Sequence, residues 1–475
     1  MVILALLLLE SAGALAQSGG TFTPTGSMTI ARSGYTATLL PSGKVLIAGG
    51  YTPYYDLASA ELYDPATGTF AATGDMTAGH SYHSAVLLPN GKVLIVGGPG
   101  RSNGVPGSPP QFPPAELYDP STGTFSITGD TVETDSGGAA ILLANGTVLI
   151  AHDPVAATAD IPATAEIYDP VTGTFSSTGN QLGGGSQQAA LLADGRVLLL
   201  ICCTADQVYD PASGTFAFTG AMTGVFEDGF ASAMPATGKF LVTGGYDEDF
   251  GGVSAGACLY DSVTGTFAAT GNMNTARYYH TATALGDGTV LVAGGTVDYR
   301  VYTATASAEI YDPAAGRFSP TGDMTTGRIN HTATLLLDGT VLILGGDNSM
   351  SSAEIYHPAQ PVPAPVLFSL AGGGLGEGAI WHAVTGQVVS ADNPATAGEA
   401  LAMYTTSLFE GGLIPPQVAI GGQLAEVLYF GDAPGYPGYY QVNFLVPGGV
   451  APGPAVPVRL TYLGRPSNEV SVAVQ

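Results

Sequence analysis

The sequence is poor in charge, and above all in positive charge. Only 11% of its 475 residues are charged, and 12 Lys and Arg stand against 38 Asp and Glu, a formal net charge of −26. A surface of that sign repels nucleic acid and anionic lipid, so we exclude both as partners. After the first residues no segment has 18 consecutive apolar residues, so we expect no membrane insertion.

Cysteine is also scarce, with Cys202, Cys203 and Cys258 as its three occurrences. An odd number with two adjacent members does not make a disulfide framework, so packing must supply the stability. The adjacent pair has two interpretations: a strained disulfide between neighbours, or two small buried residues.

The N-terminus predicts a signal peptide over residues 1–17. An apolar run at residues 2–9 is followed by Ala14-Leu15-Ala16, a small-x-small cleavage pattern. The run is too short to span a bilayer. We therefore expect an extracytoplasmic protein that is secreted, periplasmic or held at the cell surface.

Internal repetition dominates what is present. Seven tyrosines, most of them in the pattern Glu-x-Tyr-Asp, recur at spacings of 41 to 55 residues: Tyr63, Tyr118, Tyr168, Tyr209, Tyr260, Tyr311 and Tyr356. Pro-x-Thr-Gly-Thr-Phe follows most of them, and an apolar run ending in a glycine pair precedes most of them. In the third and fourth repeats, His152-Asp153 and Cys202-Cys203 replace the glycine pair.

Each repeat predicts four short antiparallel strands. In the sixth repeat they span residues 280–284, 290–293, 308–311 and 317–321, with Asp287-Gly288 between the first two. Asp-Gly between apolar runs is a strong hairpin signal, and four strands in about 40 to 50 residues are typical of a propeller blade. The last repeat lacks its fourth strand, and residues 21–26 supply an orphan one. We therefore predict a seven-bladed β-propeller over residues 20–358 that its own N-terminal strand closes.

The order Gly-Gly, Glu-x-Tyr-Asp-Pro, Thr-Gly-x-Phe, Met and Arg resembles the kelch repeat, in a form similar to the propeller of galactose oxidase. The resemblance covers residues 20 to 357 and implies a kelch-type propeller. It says little about function, because kelch propellers include enzymes and binding scaffolds.

A Pro-rich linker at residues 359–365 precedes a tail. The tail has strand-like runs at residues 379–383, 401–405, 417–420, 425–430, 439–446, 456–462 and 469–474. Their spacing predicts an Ig-like β-sandwich over residues 366–475. The stretch from Tyr436 to Asn443, with Pro466-Ser467-Asn468, resembles a C-terminal domain common in exported proteins of acidobacteria, which implies a bacterial, extracytoplasmic protein.

Loops of variable length lie on one face of the predicted propeller, and such loops on a rigid scaffold usually carry binding. Their aromatic rings can stack on the apolar faces of sugars, and their carboxylates can accept hydrogen bonds from sugar hydroxyls. The ligand-binding candidates there are Tyr54, Tyr55, Tyr246, Asp247, Asp249 and Tyr299. The alternative is that these are ordinary solvated residues; residues 247–249 lack the spacing of a calcium loop.

A second candidate set lies three residues before the histidine position that starts each first strand. It comprises Arg32, His80, Asp135, Gly185, Glu227, Arg277 and Arg328. We expect this ring of mixed charge near the channel mouth, where it holds either internal salt bridges or a polar ligand. Its basic members, Arg32, His80, Arg277 and Arg328, are therefore further ligand-binding candidates.

Two other recurrent positions favour structural roles. A glutamate precedes most of the repeat tyrosines by two residues, at Glu61, Glu116, Glu166, Glu309 and Glu354, which indicates hydrogen bonding between blades. His83, His280 and His331 suggest a metal site. However, the rotation between blades keeps such residues apart, so we expect no metal and no cofactor.

Arg277-Tyr278-Tyr279-His280 resembles the Tyr-His copper-ligand pair of galactose oxidase, which implies a copper-radical oxidase as an alternative function. That family also needs a cysteine cross-linked to a tyrosine, and the cysteines here lie in predicted strands without a family motif. The sequence favours an exported, non-enzymatic, monomeric protein that binds a glycan or protein ligand and has no catalytic residue.

Overall fold

The computed structural model describes residues 19–98, 113–131, 138–152, 164–182, 186–192, 194–201, 206–220, 222, 230–234, 239–247, 252–347, 350–359, 365–371, 375–408, 415–434, 439–462 and 465–475. Strands, turns and bends make up these residues, with no helix among them, so the all-β prediction is confirmed. The predicted signal peptide and Cys202-Cys203 lie outside the described residues.

The repeats fold into short strands. The first half of them are β1 (Thr21–Pro24), β2 (Thr36–Leu39), β3 (Val45–Ala48), β4 (Ala60–Asp64), β5 (Thr69–Ala72), β6 (Ser84–Leu87), β7 (Val93–Val96), β8 (Glu116–Asp119), β9 (Thr124–Ile127), β10 (Gly138–Leu142), β11 (Val148–His152), β12 (Ala165–Asp169), β13 (Thr174–Ser177), β14 (Ser186–Leu191) and β15 (Val197–Ile201). The second half are β16 (Gln207–Asp210), β17 (Thr215–Phe218), β18 (Phe230–Met234), β19 (Lys239–Thr243), β20 (Tyr246–Asp247), β21 (Gly252–Val253), β22 (Ala257–Asp261), β23 (Thr266–Ala269), β24 (Thr281–Ala284), β25 (Val290–Ala293), β26 (Ala308–Asp312), β27 (Arg317–Pro320), β28 (Thr332–Leu335), β29 (Val341–Leu344) and β30 (Ala353–His357).

Within the described residues these strands form seven four-stranded antiparallel sheets, the blades of a β-propeller. Blades 1 to 4 are β2–β5, β6–β9, β10–β13 and β14–β17; blade 5 is β18-β19-β22-β23, blade 6 is β24–β27, and blade 7 is β28-β29-β30-β1. The first strand of each blade contacts the first strand of the next, from β2 through β28 and back to β2. The first strands are therefore innermost and surround the axis.

The chain closes the ring with its own N-terminal strand, as predicted. Strand β1 pairs with β30 in antiparallel register, from Thr21 opposite His357 to Pro24 opposite Glu354. The last blade is thereby completed by residues from the opposite end of the propeller, and its outer edge is occupied.

The apolar runs and the glycine-containing turns of the sequence account for the buried second strand and the hairpin of a blade. The second strands, such as Val45–Ala48, are buried at every residue because both faces pack on neighbouring blades. In the sixth repeat Gly288 adopts φ +80 and Asp287 accepts a hydrogen bond from Thr289 N at 3.0 Å, which closes the predicted hairpin.

The repeat tyrosines tie neighbouring blades together. Tyr63 Oη shares a hydrogen bond of 2.9 Å with Thr25 Oγ1, which follows the outer strand of the preceding blade. Tyr118, Tyr168, Tyr209, Tyr311 and Tyr356 make the same contact with Thr73, Thr128, Thr178, Thr270 and Thr321. Recurrence of this tyrosine is therefore a property of the scaffold.

The tail consists of two sheets. One has the order β31-β32-β36-β35, from strands β31 (Ile380–His382), β32 (Ala400–Thr405), β35 (Val427–Asp432) and β36 (Tyr440–Leu445). The other has β33 (Gln417–Ile420), β34 (Gln423–Ala425), β37 (Gly453–Tyr462), β38 (Arg465–Pro466) and β39 (Val470–Val474). They enclose one apolar core that includes Leu401, Val418 and Phe444, as in a small β-sandwich. The finer prediction of an Ig-like domain stays a prediction.

The tail packs on the propeller. Leu39, Leu335 and Leu337, from the inner hairpins of blades 1 and 7, lie against the apolar core of the tail. These hairpins lie on the opposite face from the variable loops, so these contacts with the tail lie on that opposite face.

Candidate functional site

The basic residues of the predicted ring are buried within their own blades. The guanidinium of Arg32 donates to the carbonyl oxygens of Gly49 and Ser59, each at 2.8 Å, and pairs with Glu61 Oε1 at 2.8 Å. Its side chain is fully buried, and desolvation lowers its pKa, while the Coulombic interaction with Glu61 opposes that shift. Every one of these contacts is internal to the protein.

Arg277 and Arg328 repeat the arrangement, with Glu309 and Glu354 at 3.1 Å, and His80 Nε2 lies 3.4 Å from Glu116 Oε1. The three arginines of this ring thus form internal salt bridges, and its role in binding a polar ligand stays a prediction. Asp135, Gly185 and Glu227 lie outside the described residues.

The recurrent glutamates connect adjacent blades, as predicted. Glu61 accepts hydrogen bonds from Thr29 N at 2.7 Å and Ile30 N at 3.2 Å, in the segment that enters blade 1 from β1. Glu309 accepts in the same way from Asn274 N at 2.7 Å and Thr275 N at 3.0 Å. Each carboxylate therefore fixes the incoming chain and the basic side chain that follows it.

The three histidines are also placed between blades. His83 Nε2 lies 2.9 Å from Thr36 Oγ1, His280 Nε2 lies 2.8 Å from Thr243 Oγ1, and His331 Nε2 lies 3.0 Å from Thr281 Oγ1. Burial, with smaller contributions from neighbouring positive groups, lowers the pKa of His280 and His331 to about 3. They serve as neutral links to the preceding blade.

These histidines do not assemble a copper site. Each belongs to a different blade and is bound to a threonine, and no group of three His, Cys, Asp or Glu side chains suited to a metal occurs in the described part of the chain. His280, which the resemblance to galactose oxidase marks as a ligand, is 2% exposed. The residues described do not fit that cofactor.

Blades 3 and 4 replace the ion pair with other contacts. His152, at the glycine-pair position, approaches Glu166 to 3.2 Å, and Gln181 donates to the carbonyl oxygens of His152 and Thr164. In blade 4 the glutamate position is Gln207, which accepts from Leu182 N at 2.8 Å. In blade 3 the two backbone carbonyl oxygens that an arginine binds in other blades therefore accept hydrogen bonds from Gln181, which lies at a different position of the repeat.

A buried carboxyl and a buried thiol mark the boundary of blades 4 and 5. Asp206 is 4% exposed and accepts a hydrogen bond from Ile201 N at 3.1 Å; desolvation raises its pKa to about 6. Cys258 takes the glutamate position of blade 5, and burial raises the pKa of its thiol to about 12. Such a thiol is unreactive at neutral pH.

In four blades the residue directly before the histidine column has a left-handed backbone. Gly34, Tyr82, Tyr279 and Asn330 occupy it in blades 1, 2, 6 and 7, with φ of 62, 53, 56 and 52. Tyr82 N donates to Gly34 O at 2.8 Å, and Asn330 N donates to Tyr279 O at 3.1 Å. We call these four residues the mouth arc, because they precede the innermost strands and are hydrogen-bonded in two pairs, each between adjacent blades.

Further tyrosines surround the mouth arc. Tyr51 Oη and Tyr82 Oη are 2.9 Å apart, and the Tyr51 ring would lie 3.0 Å from a Cβ at Gly34. On the other side, the ring of Tyr279 lies 3.7 Å from that of Tyr278 and 6.2 Å from that of Tyr302, centroid to centroid. Tyr302 also has a positive φ, of 47.

One residue of the mouth arc, Asn330, forms a polar pair with Asp347. Asn330 Nδ2 donates to Asp347 Oδ2 at 3.0 Å, and both residues reach solvent. Partial burial raises the pKa of Asp347, and the hydrogen bond from Asn330 opposes that shift. The pair offers a carboxylate oxygen and an amide beside aromatic rings, the combination that orients a polar ligand with apolar faces.

The structure brings some loop candidates together and leaves others apart. Tyr246 and Tyr299 are in contact, with ring centroids 4.2 Å apart, and Tyr246 also reaches Tyr278 at 6.1 Å. Tyr54 and Tyr55 are 81% and 54% exposed at a loop tip of blade 1. Asp249 lies outside the described residues, and only the backbone of Asp247 is described.

The ligand-binding candidates did not include Tyr82, Tyr279, Asn330 or Asp347, and Tyr279 was considered only within the resemblance to a copper-ligand pair. A signal was present: glycine in blade 1 and asparagine in blade 7 share one repeat position, and both residue types favour a left-handed backbone. That shared preference indicates that the two tyrosines at the same repeat position have a strained, left-handed backbone.

Comparison with known proteins supports the fold. No family model matches the chain. Human Kelch-like protein 23 is 36% identical over 122 residues, which are 26% of this chain and 21% of that protein. The match therefore spans about a fifth of that relative's length.

A solved structure described as a novel fungal alcohol oxidase of the AA5 family, in complex with copper, superposes with a TM-score of 0.62 at 16% identity. The superposition covers 96% of this chain and 100% of that one. At that identity the likeness shows the fold alone, a propeller of the kelch and galactose oxidase type. Within the described residues no helix is long and apolar enough to cross a membrane.

Proposed function

We propose that this protein is an exported, non-enzymatic binding protein that holds a carbohydrate or protein ligand at the mouth arc and its surrounding tyrosines. Export rests on residues 1–17, with their apolar run and small-x-small pattern. Of the two ligand classes, a carbohydrate fits the side chains of the arc better.

The observation that carries the proposal is backbone strain at the tyrosines. A left-handed backbone costs a non-glycine residue roughly 1 kcal/mol or more, and bulky residues rarely adopt it. Blade 1 has glycine at this position, so the scaffold accepts the residue without strain. Tyr82 and Tyr279 have a strained backbone at the position where glycine would have none. Backbone strain of this kind clusters at ligand sites.

The chemistry of the arc favours a carbohydrate. Tyrosine rings offer flat apolar surfaces that pack against the C–H faces of a sugar ring, and the Asn330–Asp347 pair can donate to and accept from sugar hydroxyls. The formal net charge of −26 disfavours sulfated or uronic acid glycans. The expected ligand is therefore a neutral glycan.

The test uses substitutions that remove the side chain without straining the fold. Tyr82→Gly and Tyr279→Gly restore the residue found at Gly34. Relief of strain and the greater freedom of glycine in the unfolded chain nearly cancel, so we expect the free energy of unfolding to stay within about 1 kcal/mol of wild type. Binding on an array of neutral, sulfated and uronic acid glycans should fall at least tenfold.

Ser407→Gly is the matched control, because Ser407 has φ 59 but lies in the tail. It should change stability in the same way and leave glycan binding intact. Full binding by both tyrosine variants would overturn the assignment of the site. If the wild-type protein binds a protein ligand at the mouth arc and binds no glycan, the site is retained and the ligand class becomes protein.

A further inference from the structure

The tail has a sheet edge that is longer than the other edges found in its described residues. Strand β35 is the last strand of its sheet and has six residues, whereas the edge strands β31, β34 and β38 have three, three and two. Strand β39 is flanked by bridges from Glu377 to Ser471 and from Ala395 to Val474. A long edge presents backbone N–H and C=O groups that can template a further strand.

Apolar side chains of this strand are exposed. Leu428 and Tyr429 of β35 are 50% and 44% exposed, and Leu424, in the strand β34 that precedes β35 in the chain and belongs to the other sheet, is 67% exposed. The register of β35 against β36 shifts between Val427 and Tyr429, and from Tyr429 to Asp432 the pairing is regular. The shift places two consecutive side chains at the surface and leaves a regular strand of four residues beyond it.

The edge lacks two of the usual protective devices. Proteins guard exposed edges with lysine, proline, short strands or bulges. Residues 423–432 contain neither lysine nor proline, and β35 has only the bulge near its start. Exposed apolar residues on a strand edge without lysine or proline are typical of an interaction site.

The charge of the tail defines the partner. The charged residues of the segment, Glu426 and Asp432, are both acidic and exposed. Residues 366–475 contain two arginines and seven Asp or Glu residues, and Arg459 is paired with Glu469 at 3.2 Å. Two copies of this edge would therefore repel each other, whereas a basic segment would be attracted.

We propose that the β35 edge binds an extended, apolar segment of another protein that carries lysine or arginine, by adding it to the sheet as a further strand. The backbone of β35 supplies the hydrogen bonds, Leu428 and Tyr429 cover the partner's apolar side chains, and Glu426 and Asp432 pair with its cations. This interaction is independent of ligand binding at the mouth arc.

The probe is a blocked heptapeptide of alternating lysine and valine, with the glutamate–valine peptide as its charge control. We expect the full chain to bind the lysine peptide saturably, with slower amide hydrogen exchange confined to residues 427–432 and weaker binding at higher salt. The glutamate peptide should not bind. Leu428→Lys should weaken binding at least tenfold, because it places a like charge on the edge.

Val384→Lys is the matched control, since Val384 is a 91% exposed residue of the tail outside β35, and it should bind the peptide as wild type does. Equal binding of both peptides, or protection outside residues 427–432, would refute the proposal. Protection of residues 427–432 in the absence of peptide, together with dimerisation of the chain, would assign the edge to a second copy instead.

Discussion

Asp206 gives the protein a pH-dependent stability that can be measured. Its side chain is 4% exposed, and burial raises its pKa from 3.8 to about 6. The folded state therefore holds the proton more tightly than the unfolded state does. This carboxyl supports folding fully below about pH 4, and the support is lost as the pH rises through about 6.

The magnitude follows from the shift in pKa. A difference of about two units between the folded and unfolded states corresponds to roughly 3 kcal/mol of unfolding free energy lost between acid and neutral pH, at about 1.4 kcal/mol per unit. The substitution Asp206→Asn keeps an oxygen for the amide of Ile201, 3.1 Å away, and removes the charge. We expect the variant to be more stable than wild type near neutral pH, by about 1 to 3 kcal/mol.

The assay is urea unfolding of both proteins at about pH 4 and about pH 8, with the free energy extrapolated to water. The difference between variant and wild type should be present at the higher pH and small at the lower one. Asp287→Asn is the control, because Asp287 is exposed in a hairpin where blades 2 and 3 have Asn90 and Asn145. The same stability change for Asp206→Asn at both pH values would refute the reasoning.

Two further predictions concern the blade ion pairs and copper binding. Arg277→Met leaves Glu309 buried without its cation and should destabilise the protein by about 3 to 5 kcal/mol in urea unfolding. Adding Glu309→Gln removes the unpaired charge and keeps an oxygen for the amide of Asn274, so it should recover part of that loss; equal stability of the single and double variants would contradict the burial argument. Because His280 is bound to Thr243 between blades, protein purified in the presence of copper should retain less than one equivalent and form no peroxide with primary alcohols; stoichiometric copper with peroxide would favour the oxidase alternative.

The sequence predicted the scaffold well because its signals are local and repeated. Asp-Gly hairpins, glycine pairs and buried apolar runs each determine a few residues, and the predicted strands of the sixth repeat match β24 to β27 within one residue at each end. Ring closure was predictable because one strand was missing at one end and one was left over at the other.

The site was less predictable, because side-chain direction depends on backbone conformation. Arg277 is held in its own blade by Gly294, Ser307 and Glu309, which are distant in sequence, and the left-handed backbone of Tyr279 runs against the intrinsic preference of the residue. The repeat pattern therefore indicated a group of residues near the mouth but not which of their side chains are buried.

The pairing of β1 with β30 also sets the order in which the molecule can be made. Thr23 Oγ1 and His357 Nε2, 2.9 Å apart, belong to residues 334 positions apart in the chain. Closing a loop of that length costs about 5 kcal/mol of chain entropy, which only a nearly complete set of blades can offset. Strand β1 is synthesised before the rest of the propeller and must wait for β30, so the propeller closes only after its whole length has been synthesised.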